Sequence, residues 1–343
     1  MSTIRPRHSD RVSLLLGLLT VVLTLVGWSV TPLFIKHFSH LIDAWTSNGW
    51  RYGMSALFWL PWLVVGVRRK TLPPRLFVAA VVPAAINSAS QVAFTWAHYK
   101  IDPGLLTFGL RAQMVVVAIG AAMLFPIERL VIRSPAFLTG LALVIIGTLG
   151  TIVFDDGFGE KANTLGVILA LLAGGGFACY ALAVRYFMVG MNPLVSFAAI
   201  SLYTAVSMVV LMLIFGDHAG ATAIRMGQTE FLWLVVSSLI GIAFGHVLYY
   251  ISIARLGVAV STGVIQLQPF VVAVLSYIWF GEVLDMSQWI AGGMAVGGAV
   301  TMLAVQHIIT SRLKVDSEGE SMELPADHVA AAAEGSEDAG CPG

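Results

Sequence analysis

The sequence predicts an all-α membrane protein of about ten transmembrane helices, arranged as a 5+5 inverted repeat around a central cavity. Three observations predict it. The 343 residues are 58% hydrophobic and only 11% charged, whereas a soluble domain carries about 25% charged residues. With a mean hydropathy of +0.86, such a chain needs lipid as its solvent over most of its area. Apolar stretches near the ~20 residues that a spanning helix requires recur along the chain, and its two halves share residues at a nearly constant offset. A β-barrel is excluded, because its spans would read as ~10-residue alternating segments.

The expected spans are 12–35, 43–66, 76–97, 103–125, 135–154, 163–184, 193–215, 231–254, 258–280 and 287–309. Arg5, Arg7 and Arg11 precede the first, as in a signal peptide. That apolar run is longer than an h-region and lacks a small-residue cleavage site, so it reads as a retained helix. Turn chemistry marks four breaks: Leu72-Pro73-Pro74-Arg75, Asp102-Pro103-Gly104, Asp155-Asp156-Gly157 and Asn192-Pro193. Residues 310–343 hold eight acids and many alanines without apolar periodicity, the composition of a disordered tail. The expected organisation is an N-terminal tail (1–11), a first five-helix repeat (12–154), a second (163–309) and an acidic C-terminal tail (310–343).

Lys and Arg set the orientation. With the N-terminus inside, inner segments hold 13 of them and outer loops 4, Lys36, Lys100, Lys161 and Arg225. That bias places both termini in the cytoplasm of a plasma-membrane protein and requires an even helix count. The formal net charge is zero, with neither a basic stripe nor zinc-finger spacing, so nucleic acid is not a partner. Cys179 lies in an apolar stretch and Cys341 in the tail, which implies no disulfide framework.

The repeat is visible residue by residue. Gly17, Gly27 and Lys36 match Gly166, Gly176 and Arg185 at an offset of 149, which sets Trp28 opposite Phe177. Gly109 and Gly263 match at 154, as do Glu128 and Glu282, while Phe137 and Gly140 answer Trp289 and Gly292. Five helices per repeat is an odd number, so the second repeat enters the membrane from the opposite side. Secondary transporters use this plan, with the substrate near the midplane between the halves.

Val26-Gly27-Trp28-Ser29, Trp50-Arg51-Tyr52, Gln268-Pro269-Phe270 and the closing Gly281-Glu282-Val283-Leu284 resemble EamA-type members of the drug/metabolite transporter superfamily, over residues 12 to 309. The resemblance implies a 5+5 inverted repeat, alternating access and export of metabolites or drugs through a cavity between the halves. One departure stands out. The first-half counterpart of Pro269 is Val115, and the stretch before it reads Leu110-Arg111-Ala112-Gln113. An arginine there is not part of the family's pattern, which puts its usual substrate range in doubt for this chain.

Arg51 and Arg111 lie eight residues from the outer ends of their helices, a depth of ~12 Å, and no Asp or Glu falls within a core span. An intramembrane arginine costs at least ~2.5–3.5 kcal/mol unless it is paired or hydrated. Two of them suggest an electropositive cavity that favours a carboxylate or another anionic group. Arg51 fits a structural charge that bonds carbonyls or an outer acid. Arg111 either faces substrate or pairs with Asp102, Asp43 or Glu282. Around it, Asn87 and Gln91 share one helix face, as do His246 and Tyr250. With Trp28, Gln113, Tyr180, Gln266 and Gln268 they make the candidate cavity, with Pro269 as a helix break. Interhelical bonding is the bland reading for each polar residue taken singly. His246, read as the one histidine well inside a span, is a candidate proton carrier or a neutral hydrogen-bonded ring. Gly174-Gly175-Gly176, Gly241–Gly245 and Gly293–Gly297 are expected to let helices approach closely, and Glu128 and Glu282 to brace helix ends.

The expectation is a secondary transporter exporting a small amino-acid-like or organic-anion metabolite, with proton coupling open and a monomer sufficient for a pathway. The alternatives are a multidrug exporter of lipophilic compounds and a membrane-embedded enzyme. Neither a GxxxxGK[ST] nucleotide loop nor HExxH or GxSxG occurs, so no ATP drive, catalytic centre, cofactor or metal is expected.

Overall fold

Hydrocarbon leaves backbone polar groups no partner but their own chain, so a lipid-embedded segment must be helical or part of a closed barrel. The computed structural model describes residues 8–124, 128–156, 159–256, 261 and 264–322, and among these it resolves that choice as helices. In chain order they are α1 (His8–Phe38), α2 (Ala44–Arg68), α3 (Leu76–His98), α4 (Pro103–Gly109), α5 (Gln113–Leu124), α6 (Glu128–Ile132) and α7 (Pro135–Val153). The second half holds α8 (Lys161–Phe187), α9 (Pro193–Phe215), α10 (Thr222–Arg225), α11 (Gln228–Ser238), α12 (Gly245–Leu256), α13 (Gln268–Phe280) and α14 (Met286–Met322). Among the described residues, eight helical segments are long and apolar enough to cross a membrane, which makes this a multi-pass membrane protein. The more polar α2 and the short apolar α13 complete about ten crossings. Below, the face carrying the start of α1 is called inner.

Local chemistry explains the ends. Asp43 caps α2 by accepting from Thr46 N at 2.9 Å, and Asn192 caps α9 by accepting from Leu194 N at 2.9 Å. Proline opens α4, α7 and α9 at its first turn, where its missing N–H costs nothing. Gly281 ends α13 at φ 74°, the left-handed position that favours glycine. Two features were not expected. Helix 4 tightens into a 3-10 turn over Leu110–Ala112 between α4 and α5, and helix 8 widens into a π-helix over Leu239–Phe244 between α11 and α12. The α14 backbone is helical to Met322. The inner part of the expected ninth span, at 257–260 and 262–263, lies outside the described residues, as does the side chain of Glu128.

The packing has the two-fold pattern of the repeat. α1 packs on α12 as α8 packs on α3, and α1 on α13 as α8 on α5. α2 meets α9 and α7 meets α14, each pair being the two repeats' own counterparts. Matched glycines do matched work. A Cβ on Gly17 would meet Leu256 at 2.7 Å, and one on its mate Gly166 would meet Ile101 at 2.5 Å. A Cβ on Gly27 would meet Ile240 at 3.1 Å, and one on Gly176 would strike Ser90. One expectation is corrected here. Gly293 and Gly297 have nothing within 4 Å of an added Cβ, and the α7–α14 contact runs instead through Gly140, Gly147 and Gly298. Spacing alone does not say which face of α14 meets a neighbour.

A Cβ on Gly147 would strike the backbone of Ala291 and Ala295, which cannot yield as a side chain can. Gly147→Leu should therefore lower the melting temperature of the detergent-solubilised protein, at a cost of roughly 1–3 kcal/mol or more. Gly297→Leu, on the open face, should stay within ~0.5 kcal/mol of the unaltered protein.

Candidate functional site

The two fourth helices of the repeats are irregular at matching depth. The 3-10 turn over Leu110–Ala112 interrupts one, and a turn at Gln266–Leu267, just before Pro269 opens α13, interrupts the other. At the repeat offset of 154, Ala112 corresponds to Gln266. α8 comes close to the first turn because Gly174 has no side chain there; a Cβ would sit 3.3 Å from Leu110 O.

The two irregular segments are joined by Arg111, which is 2% exposed. Its Nη1 donates to Gln266 Oε1 at 2.6 Å, and its Nη2 reaches Gln268 Oε1 at 3.5 Å. Gln268 Nε2 in turn donates to Trp28 O at 2.9 Å. Arg111 Nε is buried and has no hydrogen-bond partner among the described residues. Among the described residues the ion pairs are Lys36–Asp102 at 3.1 Å and His37–Glu230 at 2.8 Å, and neither involves Arg111. The three acids weighed as its partners are engaged elsewhere. Asp102 holds Lys36, Asp43 caps α2 and accepts from Asp217 N, and Glu282 accepts from the Ser276 hydroxyl. Amide oxygens meet two of the guanidinium's five N–H groups and leave its charge uncancelled.

Trp28 links this network to an aromatic group. Its indole N–H donates to Gly241 O at 3.2 Å, and its ring lies 5.2 Å from His246 and 5.1 Å from Tyr249. His246 stacks on Phe197 at 4.5 Å, with Nδ1 3.1 Å from Ile242 O. A carbonyl only accepts, so that nitrogen carries a proton. Phe197 touches Tyr250, whose hydroxyl bonds Tyr180. Ile242 O belongs to the π-helix, an element frequent at functional sites.

Other expected residues stand apart from this centre. Asn87 Nδ2 donates to Thr204 Oγ1 at 3.1 Å, joining α3 to α9, and Gln91 O accepts from Asn48 at 3.5 Å, joining α3 to α2. Arg51 is 3% exposed with Nε unpartnered, and its own carbonyl accepts from Ser238. His246 is not the one deeply placed histidine. His98, the last residue of α3, is fully buried with Nε2 unpartnered and its ring 4.5 Å from Phe94. A helix-end position suggested exposure, and only the fold of α3 against α8 removes it.

Two cavities flank the network. One, of about 370 Å³, opens on its inner side, with Gln113 and Gln266 at the end nearest Arg111, and Arg185 and Gln306 at the other. The second, of about 470 Å³, lies on the outer face between Asp102, Asp155, Asp156, Glu160 and Asp285, with Lys100 beside them.

Comparison with known proteins agrees with this architecture. The EamA-like transporter family matches residues 15–153 and again 164–304. A protein described as a probable terminal-alkyne amino-acid exporter, from Streptantibioticus cattleyicolor, is 27% identical over 263 residues, 74% of this chain and 81% of that protein. One solved crystal structure superposes with a TM-score of 0.56 at 16% identity, covering 87% of this chain and 98% of the other, and so shares the fold. The chain belongs to the EamA-like transporter family.

At the outer ends of α1, α4 and α13, Glu282 lies beside Asp102 and Lys36. Burial pushes the Glu282 carboxyl up to about 7; the Ser276 hydrogen bond and Lys36 pull it down, and the Asp102 carboxyl pushes it further up. The assembled cluster thus binds a proton more tightly than an exposed Glu282, whose ordinary value is about 4.3. Falling pH favours the cluster between those two values, and it loosens as pH rises through about 7. The melting temperature of the unaltered protein, relative to Glu282→Gln, should therefore fall across that rise. A constant difference from pH 5 to 8 would contradict the assignment.

Proposed function

We propose that this protein is a secondary transporter that exports a small amino-acid-like or organic-anion metabolite by alternating access between its two repeats, 12–154 and 163–309. In this reading it lies in the plasma membrane with both termini cytoplasmic. The observation that carries it is Arg111: buried at the meeting of the two irregular fourth helices, hydrogen-bonded by neutral amides, and without a carboxylate among the described residues. A substrate carboxylate arriving there replaces amide oxygens with a charged acceptor, whose hydrogen bonds are about twice as strong. The similarity to a probable amino-acid exporter supports the same substrate class. A lipophilic-cation exporter would place a positive ligand against an uncancelled guanidinium. The aromatic setting of His246, with no acid beside it among the described residues, supports a packing role over that of a carrier of the driving proton.

Solutes released by cells expressing the protein should include an amino acid or organic anion that Arg111→Ala, at equal membrane abundance, releases roughly 10- to 100-fold less, the loss expected for a charge-assisted hydrogen bond of about 1.5–3 kcal/mol. Arg111→Lys keeps the charge without the planar fork and should fall between them. Equal release by the unaltered protein and Arg111→Ala would return Arg111 to a helix-bracing role.

A further inference from the structure

We propose that the cavity on the inner side of Arg111 is a slot for an apolar chain, so that the transported solute is a carboxylate with an apolar tail and not a compact polar acid. This rests on the anion-export reading above and names the part of the solute that reading leaves open.

The shape of the cavity carries the proposal. Its polar residues sit at its two ends, Gln113 and Gln266 beside Arg111 and Arg185 with Gln306 at the far end. Between them the walls are apolar. Along α5 the lining runs from Gln113 to Ala121, and along α8 from Phe177 to Arg185. Each stretch is nine residues, whose eight steps span about 12 Å at the rise of a helix. Four alanines line it, Ala118 and Ala121 from α5 and Ala178 and Ala181 from α8. In a membrane protein such small residues usually let two helices touch. Here they border about 370 Å³ of open space. That volume is at the small end of small-molecule sites, about 300–1,000 Å³, which suits one short chain and excludes a large multi-ring compound.

An independent observation fixes the polarity of the occupant. Arg111 Nε is buried and unpartnered, and the Gln266 side chain that holds Nη1 is itself part of the cavity lining. A carboxylate head at this end leaves the tail one direction to extend, between α5 and α8 toward Arg185. The far end is polar, with Arg185 and Gln306 in its lining. Ala181 lies midway along the α8 part of the lining and is exposed, so a larger side chain fits there without displacing a packed neighbour.

The test uses everted membrane vesicles from cells expressing the full chain, in which export is read as uptake. The probes are radiolabelled straight-chain 2-amino acids from alanine to 2-aminooctanoate, and the unbranched carboxylates of matching length. Burying each methylene should raise kcat/KM by roughly fourfold. Ala181→Phe should lower the ratio of longest to shortest probe tenfold or more, and Ala181→Leu should do so to a smaller extent, which keeps the test alive if the bulkier variant fails to reach the membrane. A flat response to chain length in the unaltered protein, or the same rise in Ala181→Phe, overturns the slot. The anion reading fails separately. Uptake that rises with chain length but is equal in Arg111→Ala keeps the slot and removes the carboxylate contact. Uptake that depends on Arg111 but ignores chain length does the reverse, and no uptake of any probe overturns both.

Discussion

The structure turns on one buried charge. Arg111 crosses from the fourth helix of one repeat to its counterpart in the other and is held there by two glutamine amides. A glutamate at either position would have bonded it more strongly and cancelled it. A stable ion pair would then close the centre of the molecule with no vacancy for a ligand of its own charge type. Glutamine gives the guanidinium enough hydrogen bonding to be tolerated in the membrane and leaves its field in place. The irregular backbone on both sides belongs to the same arrangement, because departures from helix at membrane depth survive only where protein or a cavity covers them. Gly174 lets α8 cover one of them.

The second organising fact is symmetry. The main helix pairings that join the repeats each occur with their counterpart or are their own counterpart. The glycine mates meet neighbours at opposite faces, Gly17 against the inner end of α12 and Gly166 against the outer end of α3. Two halves that interlock through matched surfaces can exchange roles at little cost, because packing released on one face has its equivalent on the other. Interconversion then needs no new kind of interface, only a choice between two arrangements of similar energy, which is what alternating access demands of a scaffold.

Much of this was legible in the chain. The spans follow from apolar length, their starts from Asp43, Asn192 and the prolines at 103, 135 and 193, and the repeat from residues such as Gly27 and Gly176. Arg111 and both glutamines were visible as costly groups in lipid. What could not be read was which of them touch. Asn87 turns its amide to Thr204 of α9, and of Gln91 it is the backbone carbonyl that is bonded, by Asn48 of α2. Gly293 and Gly297 have the spacing of a contact motif, yet the contact uses Gly298 one position on. A three-residue spacing marks a face without saying what it meets. The π-helix over Leu239–Phe244 has no clear sequence signal, and its cause is tertiary: Gly241 and Gly245 let Thr31 and the Trp28 ring press against it. The inner cavity is written in alanines, which read as packing until the space beside them is seen.

The electrostatics of the two faces differ in a way that bears on direction. On the inner side an anion meets Arg185 and then amides leading to Arg111. On the outer side it meets five carboxylates around the outer cavity, with Lys100 among them and Lys36 paired to Asp102. Over distances shorter than the Debye length, about 8 Å at physiological salt, such a cluster repels an approaching anion. Fixed charges cannot change the equilibrium ratio of solute across the membrane, since what they add to entry they also add to exit. They do change rates: like-charge surroundings slow capture, and like-charged solute leaves them readily. For a chain carrying an anion outward this lowers the frequency of recapture from outside without strengthening binding anywhere along the path. A cation would meet the opposite sequence, collected at the outer face and opposed at Arg111. In the export reading proposed above, the inner guanidiniums would thus receive a carboxylate and the outer carboxylates would make the outer mouth a poor place for it to return.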